Sequence, residues 1–246
     1  MTTLEKKVIL VTGASRGIGA TIAQRAAQAG AQVIVNYAGS QADADAVVAA
    51  IVEAGGQALA VQADVSQPAD VQRLFAESVA HFGRVDVLIN NAGIMQLSLL
   101  KDTSDELFQR TLDINVKGVF NTLREAATQL AEGGAIINFS SSTTRLMMPT
   151  YAAYCASKGA VEQLTRVFAK EMGPRNITVN TVSPGPVNTE LFTKGKPQEV
   201  IDRIAGLSAF NRIGEPQEIA DVVLFLASDQ ARWVSGQNLG VNGAFA

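Results

Sequence analysis

Short, almost wholly apolar runs alternate along the chain with longer segments whose apolar residues recur every three or four positions. The short runs are Val8–Val11, Gln32–Asn36, Ala58–Gln62, Val85–Asn90, Ala135–Ser140, Ile177–Val182 and Asn238–Val241. They favour β-branched residues and are bounded by turn formers, as strands buried on both faces are. The longer segments are Ile18–Ala29, Ala42–Ala54, Ala69–Phe82, a stretch from about Ser104 to Ala131, Ala152–Met172 and Pro216–Ala227. Their spacing is helical. Strand–helix alternation predicts an α/β fold, a doubly wound parallel sheet of about seven strands with helices on both faces. Gly30, Gly55-Gly56, Gly83 and Gly133-Gly134 fall just past helical runs, where a left-handed closing residue is wanted. The one irregular region runs from Ser183 to about Gly206 and contains Pro184, Gly185, Pro186, Gly195 and Pro197. A Pro/Gly-bearing segment of that length reads as a movable flap, at about 184–206.

Composition narrows the class. The chain has 246 residues, 47% hydrophobic and 17% charged, enough apolar material for one large core, so residues 1–246 read as a single domain. The formal net charge is -3 and there is no Lys/Arg-rich run, which argues against nucleic acid as a partner. Val8–Val11 is too short for a signal peptide or a membrane span. With one cysteine, Cys155, and one histidine, His81, an intrachain disulfide is impossible and a Cys/His metal site close to excluded. A cytoplasmic protein fits these features. Cys155 reads as a small hydrophobe, His81 as a helix-end cap and Trp233 as core.

The chemistry gathers at the ends of the strands. The first strand runs into Thr12-Gly13-Ala14-Ser15-Arg16-Gly17-Ile18-Gly19 and then a helix. Glycines there permit a tight turn and let backbone approach a phosphate at the helix amino terminus. The spacing is Gly-x-x-x-Gly-x-Gly, not the common Gly-x-Gly-x-x-Gly. The second strand ends at Asn36, followed by Tyr37-Ala38-Gly39-Ser40, and the next acid is Asp43. A carboxylate at that strand end would bond the 2′-hydroxyl of NAD; its absence, with Arg16 in the glycine loop, favours NADP(H). Asp64-Val65, Asn90-Asn91-Ala92-Gly93, Ser140-Ser141-Ser142 and Ser183-Pro184-Gly185 follow later strands. Each cluster alone is ordinary turn chemistry. Together they lie at the edge where parallel sheets bind ligands.

Tyr154 and Lys158 stand four apart in a helical segment, so their side chains project from one face. An ammonium held ~4 Å from a phenol at an effective dielectric of ~20 favours the phenolate by ~4 kcal/mol, or about three pKa units. The spacing thus predicts a tyrosine acidified for general acid–base work.

These motifs together resemble the short-chain dehydrogenase/reductase superfamily, which has a Rossmann-like fold, in its one-domain branch. The resemblance rests on the glycine loop, Asn91-Ala92-Gly93, Asn115, Ser141, Tyr154/Lys158, Pro184-Gly185 with Thr189, and Ser235-Gly236-Gln237. It implies that Tyr154 gives the proton in ketone reduction and takes it in alcohol oxidation. Ser141, thirteen positions earlier, would hydrogen-bond the substrate oxygen. Lys158 would hold the nicotinamide ribose and lower the tyrosine pKa, and Asn115 would hold a water linking Lys158 to solvent. Pro184, Gly185, Val187 and Thr189 would border the nicotinamide and its phosphate. The implied cofactor contacts are Gly13, Ser15, Arg16, Gly17, Ile18, Gly19, Asn36, Ser40, Asp64, Val65, Asn91, Ala92 and Gly93.

Leu146, Met147, Met148 and Pro149, with Ile94, Met95, Leu97, Leu191 and Phe192, suggest an apolar substrate pocket. The chain looks closest to 3-oxoacyl-carrier-protein reductases and NADPH-dependent carbonyl or aldehyde reductases. The long helix ends in Gln129-Leu130-Ala131-Glu132 without a positive charge, which disfavours docking of an acidic acyl carrier protein; Arg175 is the nearby cation. The expectation is an NADPH-dependent reductase of a moderately apolar ketone or aldehyde. The alternatives are an NADP-dependent alcohol or sugar dehydrogenase working in oxidation, and a non-catalytic NADP-binding sensor. The resemblance also implies a homotetramer joined through the long helix and the helix bearing Lys158.

Overall fold

The computed structural model describes residues 4–246. Seven strands, β1 (Val8–Val11), β2 (Gln32–Tyr37), β3 (Gln57–Gln62), β4 (Val85–Asn90), β5 (Leu130–Phe139), β6 (Thr178–Pro184) and β7 (Asn238–Val241), form one sheet. Their order is β3-β2-β1-β4-β5-β6-β7, and every neighbouring pair is parallel. The chain walks outward from β1 to β3, then crosses back to β4. The crevice between β1 and β4 is therefore the topological switch point, where such sheets bind ligands.

Strand alternation explains why both faces are apolar. Ile9 and Val11 point into one core layer, Val8 and Leu10 into the other. The first layer is closed by α1 (Gly17–Gln28), α2 (Gln41–Glu53) and α10 (Pro216–Ala227), through residues such as Ile22, Ile51 and Val223. The second is closed by α3 (Pro68–Phe82), α5 (Gly118–Gln129) and α7 (Ala152–Glu171), through Phe75, Leu123 and Val161. No helix among the described residues is long and apolar enough to cross a membrane.

Four features differ from the sequence pattern. The single long helix expected from about Ser104 to Ala131 is α4 (Asp105–Leu112), a π-helical turn at Asp113–Lys117, and α5. Leu130 to Glu132 already belong to β5, whose register against β4 shifts between Val85 and Val87. The expected flap contains two short helices, α8 (Glu190–Thr193) and α9 (Gln198–Ala205). Trp233 is not core but 100% exposed: on either side of it Ala231 is buried and Val234 packs inward, which turns the position between them outward.

A buried polar ladder crosses the second layer beneath the strand ends. Thr122 on α5 donates to Asn90 (2.8 Å), Asn90 to Asn138 (2.8 Å) and Asn138 to Thr165 on α7 (2.8 Å). Thr181 on β6 also donates to Thr165 at 2.8 Å. Every member is nearly inaccessible, so the bonds are made without competition from water. The ladder fixes α7, and with it Tyr154 and Lys158, against three strands.

Candidate active site

The glycine loop is built by contacts a side chain would prevent. Gly13 adopts φ +62°, and a Cβ there would come within 2.9 Å of the Ala92 backbone. At Gly19 a Cβ would lie 2.5 Å from both the Asn91 amide and the Gly13 carbonyl. Asn91 closes the turn by donating to the Thr12 and Gly13 carbonyls, each at 2.9 Å. Helix α1 then begins with neither a side-chain cap nor an acidic residue in its first turn. Its leading amides are left for an anion, so this cradle fits a dinucleotide pyrophosphate.

The other expected cofactor residues divide into those at the cleft and those that support it. Asn36 is buried; its side-chain oxygen accepts from the Gly13 N–H (3.2 Å) while its amide donates to Ala63 O (3.0 Å), clamping the loop to β2 and β3. Asp64 accepts from the Ser66 N–H at 2.9 Å, and Val65 is buried where a Cβ on Gly118 would meet it at 2.7 Å. Ser40 is exposed at the start of α2. Arg16 is exposed and lies 3.6 Å from Glu190 on the flap. No carboxylate stands between the end of β2 and Asp43.

Lys158 and Asn115 meet around Gly93. A Cβ on Gly93 would sit 3.2 Å from the Asn115 side-chain oxygen and 3.5 Å from the Lys158 nitrogen. Asn115 lies on the π turn and is wholly buried. Its oxygen accepts from the Ile94 N–H (2.8 Å), and its amide donates to Ile94 O (2.9 Å) and Ser157 Oγ (3.1 Å). It thereby pins the loop after β4 to α7. Such single π turns recur at functional sites because they re-aim one side chain.

Burial, rather than Lys158, dominates the environment of the Tyr154 phenol, opposite to the expected acidification. Lys158 Nζ lies 5.7 Å from the Tyr154 ring centroid and donates to Phe139 O at 2.9 Å. Burial pushes the Tyr154 phenol up to about 12, only partly opposed by the Ser141 hydroxyl. The same burial pushes Lys158 down to about 8. Two charges in a uniform medium would favour the phenolate; desolvation of both groups in one dry wall opposes it.

Ile18, Asn91, Gly93, Ser141, Tyr154 and Lys158 share one cleft of about 160 Å³ with Pro184, Gly185, Val187 and Thr189. Of the expected apolar residues, Ile94, Met95, Met148, Leu191 and Phe192 line it. Leu146, Met147, Pro149 and Leu97 do not; Leu146 is half-buried and the other three are exposed. Sequence reasoning missed Phe139, Tyr151, Ile204 and Phe245, which add aromatic and aliphatic wall. Tyr151 was visible as Tyr154's neighbour, and the two rings stand edge to face at 6.4 Å. Nothing in the local pattern marks Phe245, which the strand β7 returns to the cleft. Arg175 is spent elsewhere, donating to Glu132 (3.0 Å) and to carbonyls at the end of α5, including Ala127 O (2.6 Å).

Residues 13–245 match the family described as enoyl-(acyl carrier protein) reductase. Versicolorin reductase 1 of Aspergillus parasiticus is 44% identical over 252 residues, covering 98% of this chain and 96% of that protein. A short-chain dehydrogenase/reductase from Serratia marcescens superposes with a TM-score of 0.94 at 41% identity, covering 98% of each chain. The angucycline C-6 ketoreductase LanV, solved with bound NADP, does so with a TM-score of 0.94 at 39% identity, covering 99% of this chain and 97% of that one. Oxidoreductases that use a nicotinamide cofactor thus share both its sequence and its fold, and the chain belongs to the short-chain dehydrogenase/reductase superfamily.

Proposed function

We propose that the protein reduces the carbonyl of a moderately apolar ketone or aldehyde, or of a 3-oxoacyl compound, at the expense of NADPH, with Tyr154 as proton donor. The observation that carries this reading is a phenol and a serine hydroxyl in one apolar-walled cleft beside Lys158. The nicotinamide, when bound, supplies a hydride. Hydride arriving at the carbonyl carbon leaves negative charge on oxygen. Ser141 donates a hydrogen bond to that oxygen and Tyr154 delivers its proton there, so the charge is never left bare in the dry cleft.

NADPH over NADH is supported by the missing acid after β2 and by Arg16, an exposed guanidinium beside the glycine loop. The NADP named with LanV agrees. The reductases among the relatives support carbonyl reduction, and the engaged Arg175 argues further against an acyl carrier protein partner. Residues 1–246 act in this reading as one cytoplasmic catalytic unit, with the 184–206 segment as its flap. Copies of the chain assemble as a homotetramer.

The test is a panel of apolar ketones, aldehydes and enones, followed by loss of nicotinamide absorbance with NADPH and NADH. Carbonyl turnover with NADPH preferred is expected. Tyr154→Phe should lower kcat by about 10²- to 10⁴-fold and leave the NADPH Kd within about threefold. Unchanged turnover in that variant would overturn the mechanism, and activity in oxidation alone would favour the dehydrogenase reading.

A further inference from the structure

Ser140, Ser141, Ser142, Thr143 and Thr144 form an unbroken run of hydroxyl side chains, and the fold divides three tasks among them. Ser140 and Thr144 both donate to one oxygen of Glu162 on α7, at 2.7 and 2.9 Å. Ser142 donates to Ser183 O (3.3 Å) and accepts from the Asn242 amide (3.0 Å). Ser141 and Thr143 are left facing each other at the cleft. Thr143 donates to Ser141 Oγ twice, from its hydroxyl at 2.9 Å and from its backbone N–H at 3.3 Å.

A serine hydroxyl has two acceptor sites and one proton. Thr143 occupies both acceptor sites, which leaves the Ser141 proton for the side of the Tyr154 phenol, the group that the Ser141 hydroxyl hydrogen-bonds. That proton is therefore aimed into the cleft. A hydroxyl that already accepts hydrogen bonds is also a stronger donor, because chains of such bonds polarise one another. From this geometry we infer that Thr143 is a positioning residue for carbonyl reduction: it orients and polarises the Ser141 hydroxyl, while Glu162 holds the run in register with Tyr154. The inference rests on the reading of Ser141 as the group that bonds the substrate oxygen. The effect belongs to the step in which charge grows on that oxygen, so it appears in kcat more than in binding.

Thr143→Val keeps the shape and removes the donor; Thr143→Ser keeps the donor. Expected is a fall of about tenfold in kcat for Thr143→Val, with the ketone KM and the NADPH Kd within about twofold and Tm unchanged within about 2 °C. Thr143→Ser should stay within about twofold of the parent enzyme. In a Ser141→Ala background, Thr143→Val should cost nothing more, since the group it acts through is gone. Equal losses with and without Ser141, a rise in ketone KM alone, or a Thr143→Ser as poor as Thr143→Val would each overturn the inference. If Thr143→Val is neutral while Ser141→Ala and Tyr154→Phe are crippled, the inference fails and the proposed function stands. If Ser141→Ala and Tyr154→Phe are themselves fully active, it is the proposed function that fails.

Discussion

Burial lowers the Lys158 pKa to about 8, yet at pH 7 its ammonium is still charged and only 4% exposed, which makes it costly to the free protein. The folded state releases this proton near pH 8, the unfolded chain near 10.5, so between those values the unfolded state binds more protons and stability rises with pH. The shift corresponds to on the order of 3 kcal/mol, offset by about 1 kcal/mol for the bond to Phe139 O. Lys158→Met should therefore be more stable than the parent at pH 7 by about 2 kcal/mol, with the gap closing between pH ~8 and ~10.5. Thermal unfolding across pH reads it, and a gap independent of pH would refute the burial argument. The same group controls the free enzyme's reactivity. With Tyr154 protonated up to about 12, the first charge lost on raising pH is that of Lys158. The kcat/KM for NADPH, which reports groups of the free enzyme, should fall above pH ~8 and show no break near 10, where an ordinary tyrosine ionises. The Tyr154/Lys158 pair was legible in the sequence because helical spacing is local. The direction of its shifts was not, because desolvation comes from walls supplied by distant segments such as Phe139 and Phe245.

Elements are joined under the site by polar groups that no single segment reveals. Asn90 and Asn138 stand at the ends of β4 and β5, where asparagine reads as turn chemistry, yet both are buried links between strands and helices. The strands themselves were legible to within two residues in most cases, since apolar runs bounded by turn formers need no tertiary information. The π turn at Asp113–Lys117 was not: a helical period continues through it, and only the bonds of Asn115 to Ile94 and Ser157 show why the helix widens there. Leu130 to Glu132 were lost for a similar reason, because pairing with β4 overrides the propensity of a helix end. Asn138→Leu would deprive the Asn90 amide of its acceptor, while Thr165 keeps the bond it accepts from Thr181. A cost of about 1–3 kcal/mol is expected in chemical denaturation, the penalty for one orphaned buried group. A neutral or stabilising result would mean that the ladder can be replaced by apolar packing, as buried polar networks sometimes can.

At the scale of the whole molecule an apolar groove is left uncovered among the described residues, and its position relative to the cleft follows from helix geometry. Leu112, Val116, Phe120, Leu164 and Val167 line a groove between the helical segment Asp105–Gln129 and α7, with Phe120 46% and Val167 59% exposed. Val167 lies nine residues beyond Lys158, about 180° around the helix at 100° per residue, so the groove is on the back of the helix whose front carries the site. The proposed tetramer would cover this face and brace α7 from behind while leaving the cleft open to substrate. A charge placed there must be desolvated for copies to associate but remains in water on a single chain. Val167→Glu should raise the dissociation constant for assembly by at least about tenfold in sedimentation equilibrium while leaving the circular dichroism of the chain unchanged. If the parent protein sediments as a monomer, or if Val167→Glu assembles as tightly as the parent, this face does not join copies of the chain.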